Sequence, residues 1–489
     1  MPAAQKGAHL AKGVPFLLKG FWTGGERGAG ADEPVREEEK MIEQILAITI
    51  FLIMFGVIIS EKIERHWVSL GCGLIMLIVV FGICMRSPEA IWNTINIKEF
   101  ASKAFWIARE EGSEAAGVNW ATISFIFGMM IMVEGMGKAG FFRWLCLRIA
   151  KSVKYKTMPI FITFMVMSFV LAMFIDSITV ILFLAAVTVE LAEVLGFSPI
   201  SMILAEVFCA NLGGSATMCG DPPNIIIGTS LGYSFGDFVK NTGVIALIAL
   251  AFTLTYYYLY FRRQFKGSST VSGAVSYPEP SSAISSKRDF VISCLIFACA
   301  VGLLVTHSMT GLTVATIGLF VAALTLLSSP RSALEMLRKV DYKTLLFFVG
   351  LFVVVGGLEQ TGVLKAMAGM ISSICGDNAY VMVAVILWMS AIASAFVDNI
   401  PFSATMIPVI KTLAETTGMD LAVLSWTLAC GTDIGGSATP IGASANVVGV
   451  SIASQNGHII GWGKYCKVMV PITVLTILIS MICIYLRYL

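Results

Sequence analysis

Eight stretches of this chain run for 18 to 21 residues with almost no charge, and each is as long as a bilayer's hydrocarbon core is thick. They lie at 43–60, 67–85, 120–137, 243–262, 289–306, 311–328, 343–360 and 466–486. In hydrocarbon a backbone N–H or C=O has no water to turn to. A spanning segment must therefore satisfy its own groups, and it does so as a helix. Composition agrees. Charged residues make up 13% of the 489 and apolar residues 57%, and the mean hydropathy is +0.84. A water-soluble domain of this size could not bury so much apolar surface. Soluble enzymes and nucleic-acid binders are excluded, and a net charge of +2 names no partner. The chain reads as an all-α polytopic membrane protein, with the lipid bilayer as its first partner.

The eleven cysteines show no CxxC and no regular spacing, and most sit inside apolar runs, so no disulfide framework or zinc site is expected. The four histidines (His9, His66, His307 and His458) are too scattered to ligate a metal together. With no nucleophile–base pair either, neither an enzyme nor a resident cofactor is expected.

Residues 1–42 read as a flexible polar tail, with Met41 as an alternative start. Residues 263–288, rich in Ser, Gly and Pro, read as a linker between halves at 43–262 and 289–489. Residues 141–156 interleave apolar and basic side chains, which suits a helix lying in the membrane interface. Two longer apolar regions are interrupted. Residues 158–195 form two stretches meeting at Asp176, and 379–416 form two meeting at Asp398. After each comes a segment broken by glycine and proline, at 199–232 and 421–453.

The halves match each other. Adding 222 carries Asp176 to Asp398, and Gly213, Gly214, Ser215, Thr217 and Asn224 to Gly435, Gly436, Ser437, Thr439 and Asn446. It also carries Gly128, Gly135 and Gly140 to Gly350, Gly357 and Gly362. Each half holds five spans with a re-entrant hairpin and a broken helix. Five is odd, so the halves should lie inverted in the membrane, an arrangement typical of secondary transporters. The basic residues then gather on one side: Lys62, Arg65, Lys138 to Lys156, Arg262 to Arg288, Arg331 to Lys339, and Lys464. That side should be cytoplasmic and the N-terminal tail external.

A carboxylate inside an apolar stretch costs about 3 kcal/mol unless it is paired or hydrated. Asp176 and Asp398 at equivalent hairpin tips therefore point to binding of a cation or a proton. With Ser177 or Asn399 beside them, they also fit helix caps. The segments NLGGSATMCGDPPN and DIGGSATPIGASAN add glycines that free the backbone and prolines that break the helix ladder. Broken helix ends can present dipoles to an ion. Ser215, Thr217, Asn224, Ser437, Thr439 and Asn446 would add neutral oxygens and amides, and a packing kink is the plainer alternative. Asp221 and Asp433 break the symmetry, their counterparts being Ala443 and Asn211. Asp221 fits either a third titratable group or a cap. Glu134, Glu206 and Glu359 are lesser candidates. No Lys or Arg lies in a tip or a broken loop, so helix dipoles or a co-bound cation would have to balance an anionic substrate.

At these residues the chain resembles the ion transporter superfamily, and within it the arsenite permease, NhaD-type antiporter and P-protein group, with its citrate-transporter-like domain. FIDSITVILF paired with FVDNIPFSATMIPVI, and GGSATMCGDPPN with GGSATPIGASANV, carry the resemblance. The divalent anion symporters of that superfamily carry Ser-Asn-Thr at the tips. Here Asp176-Ser177-Ile178-Thr179 and Asp398-Asn399-Ile400-Pro401 stand there instead. The resemblance implies a scaffold plus a transport domain, a homodimer and elevator-like movement. The expected function is secondary active transport of a small inorganic ion, arsenite-type or Na+, coupled to H+ or Na+. Site residues would be Asp176, Ser177, Thr179, Gly213, Gly214, Ser215, Thr217, Asp221 and Asn224, with Asp398, Asn399, Gly435, Gly436, Ser437, Thr439 and Asn446. No firm metal site is implied beyond a Na+ at the tips and broken loops. A carboxylate symporter of the same superfamily and an ion channel are the competing readings. Cys219 would suit As(III) as a thiolate, or simple packing, since its counterpart is Ile441.

Overall fold

The structure is a computed structural model, and it describes residues 33–60, 62–107, 117–265, 277–376 and 378–489. Most of the tail (1–32) and the middle of the linker (266–276) lie outside the described residues, as do Arg109 and Lys266. Among the described residues the chain is helical, apart from one isolated antiparallel bridge between Ile107 and Leu312. Nine helices among the described residues are long and apolar enough to cross a membrane. The exposed surface carries Leu52, Ile53, Leu247, Phe252, Leu295 and Ile392, all facing outward. Large apolar side chains that face out on every side need lipid around them. The protein is an integral, multi-pass membrane protein.

The first half comprises α1 (Glu33–Ile59), α2 (Arg65–Ile75, widening into a π-helix over Met76–Cys84), α3 (Trp120–Ala139), α4 (Phe141–Ser152), α5 (Thr157–Ala172), α6 (Ser177–Leu195), α7 (Ile200–Gly214), α8 (Pro222–Leu231) and α9 (Val244–Phe265). The second comprises α10 (Lys287–Thr310), α11 (Val314–Ser328), α12 (Tyr342–Gln360), α13 (Val363–Cys375), α14 (Ala379–Phe396), α15 (Asn399–Thr417), α16 (Leu421–Gly435), α17 (Ser444–Gln455) and α18 (Trp462–Tyr488). Several of the expected spans differ in length, α10 and α18 each running six residues longer than expected. The first helix starts ten residues early, at Glu33, within the stretch read as tail. The span expected over 311–328 is the shorter α11. Glu and Lys are good helix formers, so the polar end of α1 extends the helix without needing hydrocarbon around it.

The hairpins form where the two aspartates predict them. Asp176 caps α6 and Asp398 caps α15, and the helices end at Gly196 and Gly418 in the left-handed conformation that favours glycine. Those two glycines are again 222 apart. Across the halves, α2 packs on α12 while α11 packs on α3. The crossings depend on small residues. A side chain on Gly128 would meet the Gly318 backbone, its Cβ lying 2.8 Å from the Gly318 Cα. A side chain on Gly350, the counterpart of Gly128, would lie 2.6 Å from the Leu70 backbone nitrogen. Such approaches let helix backbones touch where lipid offers no hydrophobic drive to bring them together. Gly128→Leu is therefore expected to destabilise the protein by about 1–3 kcal/mol through overpacking. A lowered thermal midpoint of the purified protein in detergent checks this, with Gly56→Leu, which meets open space, as the control.

Candidate functional site

Asp176 and Asp398 sit at the turns between paired helices. The Asp176 carboxylate accepts hydrogen bonds from the Thr179 backbone N–H (2.9 Å) and the Thr179 hydroxyl (2.7 Å). Asp398 accepts one from the Ile400 N–H at 3.2 Å. Both carboxylates are half-buried. The capping reading and the site reading are thus compatible, because each cap leaves part of the carboxylate free for another partner.

The broken helices lie against these turns. Gly213 packs on Phe169 of α5, and Gly435 packs on Ala391 of α14. Where each helix stops, the Thr217 hydroxyl donates to the Met173 carbonyl, and Thr439 donates to the Ala395 carbonyl. The Asn224 amide donates to the carbonyls of Gly214 and Thr217, both at 3.1 Å. Asn446 does the same for Gly436 and Thr439, both at 2.8 Å. Every partner in these two sets is related by 222, so the repeat in the sequence is also a repeat of hydrogen bonds. Ser215 donates to the Leu212 carbonyl at 2.8 Å. Ser437 and Asn446 accept from Asn211 of the other half, at 3.0 and 2.8 Å. In the matching place, the fully buried Asp433 lies beside Asn224.

Asp221 draws the two halves together. Its Oδ1 accepts from the Ser177 hydroxyl at 3.2 Å, and its Oδ2 accepts from the Asn399 amide at 3.0 Å. One carboxylate of the first broken loop therefore joins both hairpin tips, with all three side chains buried. It does not cap α8 through its side chain. Of Glu134, Glu206 and Glu359, the first pairs with Lys339 at 2.7 Å, the second accepts from Thr188 at 2.6 Å between α6 and α7, and the third lines a small cleft described below.

A cation also enters the site, contrary to the expectation that none would. Arg65, the first residue of α2, donates to Asp398 Oδ2 at 2.9 Å, to the Thr344 hydroxyl at 2.9 Å and to the Ser444 hydroxyl at 3.3 Å. Its guanidinium also lies 5.3 Å from the centre of the Phe347 ring. Sequence reasoning placed Arg65 among the loop charges because nothing near it in the chain resembles a tip. Only the packing of α2 on α12 carries it there.

Arg65 and Asp176 both line a cavity of about 250 Å³ between α3, α12 and the first hairpin. Its wall includes Met129, Met130, Val133, Leu182 and Cys219. A second cleft, of about 50 Å³, is lined by Phe352, Val355, Gly356 and Ala404. These four are the +222 counterparts of Met130, Val133, Glu134 and Leu182. The two halves thus contribute matching positions to two clefts of unequal size.

A family model described as citrate transporter matches residues 50–431. The chain belongs to that family. An uncharacterized transporter of Mycobacterium tuberculosis is 32% identical over 91% of this chain and 98% of its own. The P protein of Sus scrofa is 25% identical, over 83% of this chain and 57% of that protein. Among solved structures, the Alcanivorax borkumensis YdaH transporter superposes with a TM-score of 0.57 at 13% identity, covering 91% of this chain and 98% of that one. MtrF of Neisseria gonorrhoeae, described as illuminating a class of antimetabolite efflux pumps, gives a TM-score of 0.53 at 12% identity, over 86% and 94%. At that identity these structures share the fold alone. Membership of the family makes the chain a secondary transporter of the ion transporter superfamily rather than an enzyme, as the tips and broken loops implied.

Because Asp221 holds both tips, Asp221→Ala is expected to loosen them together. Hydrogen exchange should rise at 176–180 and at 398–402 alike, whereas Thr179→Ala should affect only the first tip.

Proposed function

We propose that the chain is a secondary active transporter of a small inorganic ion, arsenite-type or Na+, coupled to H+ or Na+ and working by elevator-like alternating access. The observation that carries this reading is the convergence of Asp176, Asp221 and Asp398 around one site. Two hairpin tips and a broken loop meet there beside an open cavity. A carboxylate in such a place takes up a cation or a proton, because an unbalanced charge in low dielectric is costly. Asp176, Ser177, Thr179, Asp398 and Asn399 would line the ion path at the tips. Thr217, Asn224, Thr439 and Asn446 would hold the broken loops that support it.

The unequal clefts support alternating access. Two repeat-related clefts of about 250 and 50 Å³ are what a carrier open to one side presents, and exchanging the shapes of the halves would open the other. The wide one is rimmed by Lys339 and Asp341, on the side read as cytoplasmic. Inverted halves, a scaffold holding α1 to α3 and α10 to α12, and a homodimer complete the picture. A channel would instead need a continuous water path.

A second reading, a carboxylate or divalent anion symporter, is favoured by one observation: the guanidinium of Arg65 inside the cavity. The family's description as citrate transporter agrees with it.

The test is flux into proteoliposomes holding the purified protein and a trapped pH-sensitive dye. Na+, Li+, K+, arsenite, citrate and succinate are added in turn. One of them should move protons or drive saturable uptake, and net coupled flux should be lost in Asp176→Asn and in Asp398→Asn. Flux that survives both substitutions would remove the tips from the mechanism.

A further inference from the structure

The contacts of Arg65 show more than a packing role. Its guanidinium is held from behind by α12, through the Thr344 hydroxyl at 2.9 Å and the Phe347 ring. Its other face meets the tip of the second hairpin, through Asp398 at 2.9 Å, and the first turn of α17, through Ser444 at 3.3 Å. The remaining charges around it are engaged elsewhere. Lys339 pairs with Glu134 at 2.7 Å, and Asp341 accepts from the Thr344 N–H and hydroxyl at 3.1 and 2.5 Å. Asp176 accepts from Thr179, and Asp221 from Ser177 and Asn399. Of the two cations that line the cavity among the described residues, Arg65 alone is matched to a hairpin carboxylate.

That match is chemically replaceable. Arg presents a planar fork that fits any carboxylate or oxyanion, and Asp398 offers what a substrate carboxylate would offer. The pair is not sealed, since the Arg65 and Asp398 side chains are 29% and 16% exposed. The partial exposure gives a second anion access to the guanidinium, where it can take the place of the Asp398 carboxylate on the same donors.

We propose that Arg65 is the anion-binding residue of the cavity and that Asp398 is its intramolecular competitor. The proposal rests on the transport reading only in taking the cavity as the substrate chamber. In the unloaded state the second hairpin tip occupies the guanidinium. A small carboxylate or oxyanion entering the cavity displaces it. Arg65 stays with α12, and the tip loses its link to α2. Binding of the anion thus also unlocks the hairpin from the helices it must move against. An empty carrier stays latched and a loaded one is released.

Calorimetric titration of the full-length purified protein with citrate, succinate and inorganic phosphate tests this. Arg65→Gln should weaken binding of the preferred anion by about tenfold or more. Asp398→Asn should do the opposite and tighten it by up to about fivefold, because the competitor has lost its charge. Unchanged binding in Arg65→Gln would overturn the proposal. So would equal or weaker binding in Asp398→Asn, or no binding of any of the three anions by the parent and Asp398→Asn. Should Arg65→Gln fail to fold, Asp398→Asn decides alone, because tighter binding is not what structural damage produces. The outcome separates from that of the transport reading. Anion binding of this pattern with no flux in vesicles would end the transport reading and leave this one. Cation flux by a protein that binds no anion would do the reverse.

Discussion

A helix that stops inside a bilayer releases backbone groups that no water can reach, and each left unpaired costs several kcal/mol. The rest of this structure depends on how those groups are met. Thr217 and Thr439 reach out to carbonyls at the ends of α5 and α14 and tie each broken loop to its hairpin. Asn224 and Asn446 reach back across their own breaks and close two carbonyls each. The glycines between them allow the close contacts that make those distances possible. Hairpin and broken helix are therefore one unit, and a site built on their ends is held by rigid elements rather than by loose loops.

Within that repeated frame, the charged contacts that join the two halves lie where the repeat fails. Asp221 has Ala443 as its counterpart, so only one of the two broken loops can join both tips. Arg65 approaches only the second tip, so Asp398 is matched by a cation while Asp176 relies on Thr179. The two clefts differ in size in the same sense: the wide one opens on Asp176.

Much of the fold was legible because hydrocarbon leaves the backbone few choices. Span positions, the two hairpins at Asp176 and Asp398, the two broken segments and the +222 relation all followed from apolar length, turn chemistry and repetition. The capping role of the aspartates followed as well, because a cap is a local hydrogen bond between residues two or three apart. The length of α11 and the early start of α1 did not follow, since helix ends are set by packing and by propensity outside the membrane, where apolar length says nothing.

The sequence by itself determined that this chain spans a membrane as two matching halves and which polar residues are set into its apolar interior. The tertiary structure alone decided which of those residues meet. Ser177 and Asn399 come to one carboxylate across 222 positions. Arg65 comes to Asp398 across 333. Local chemistry fixes where a chain turns and what each turn can bind. Which turns face each other depends on how helices far apart in the chain pack, and here that packing depends on backbone contact at glycines such as Gly128 and Gly350.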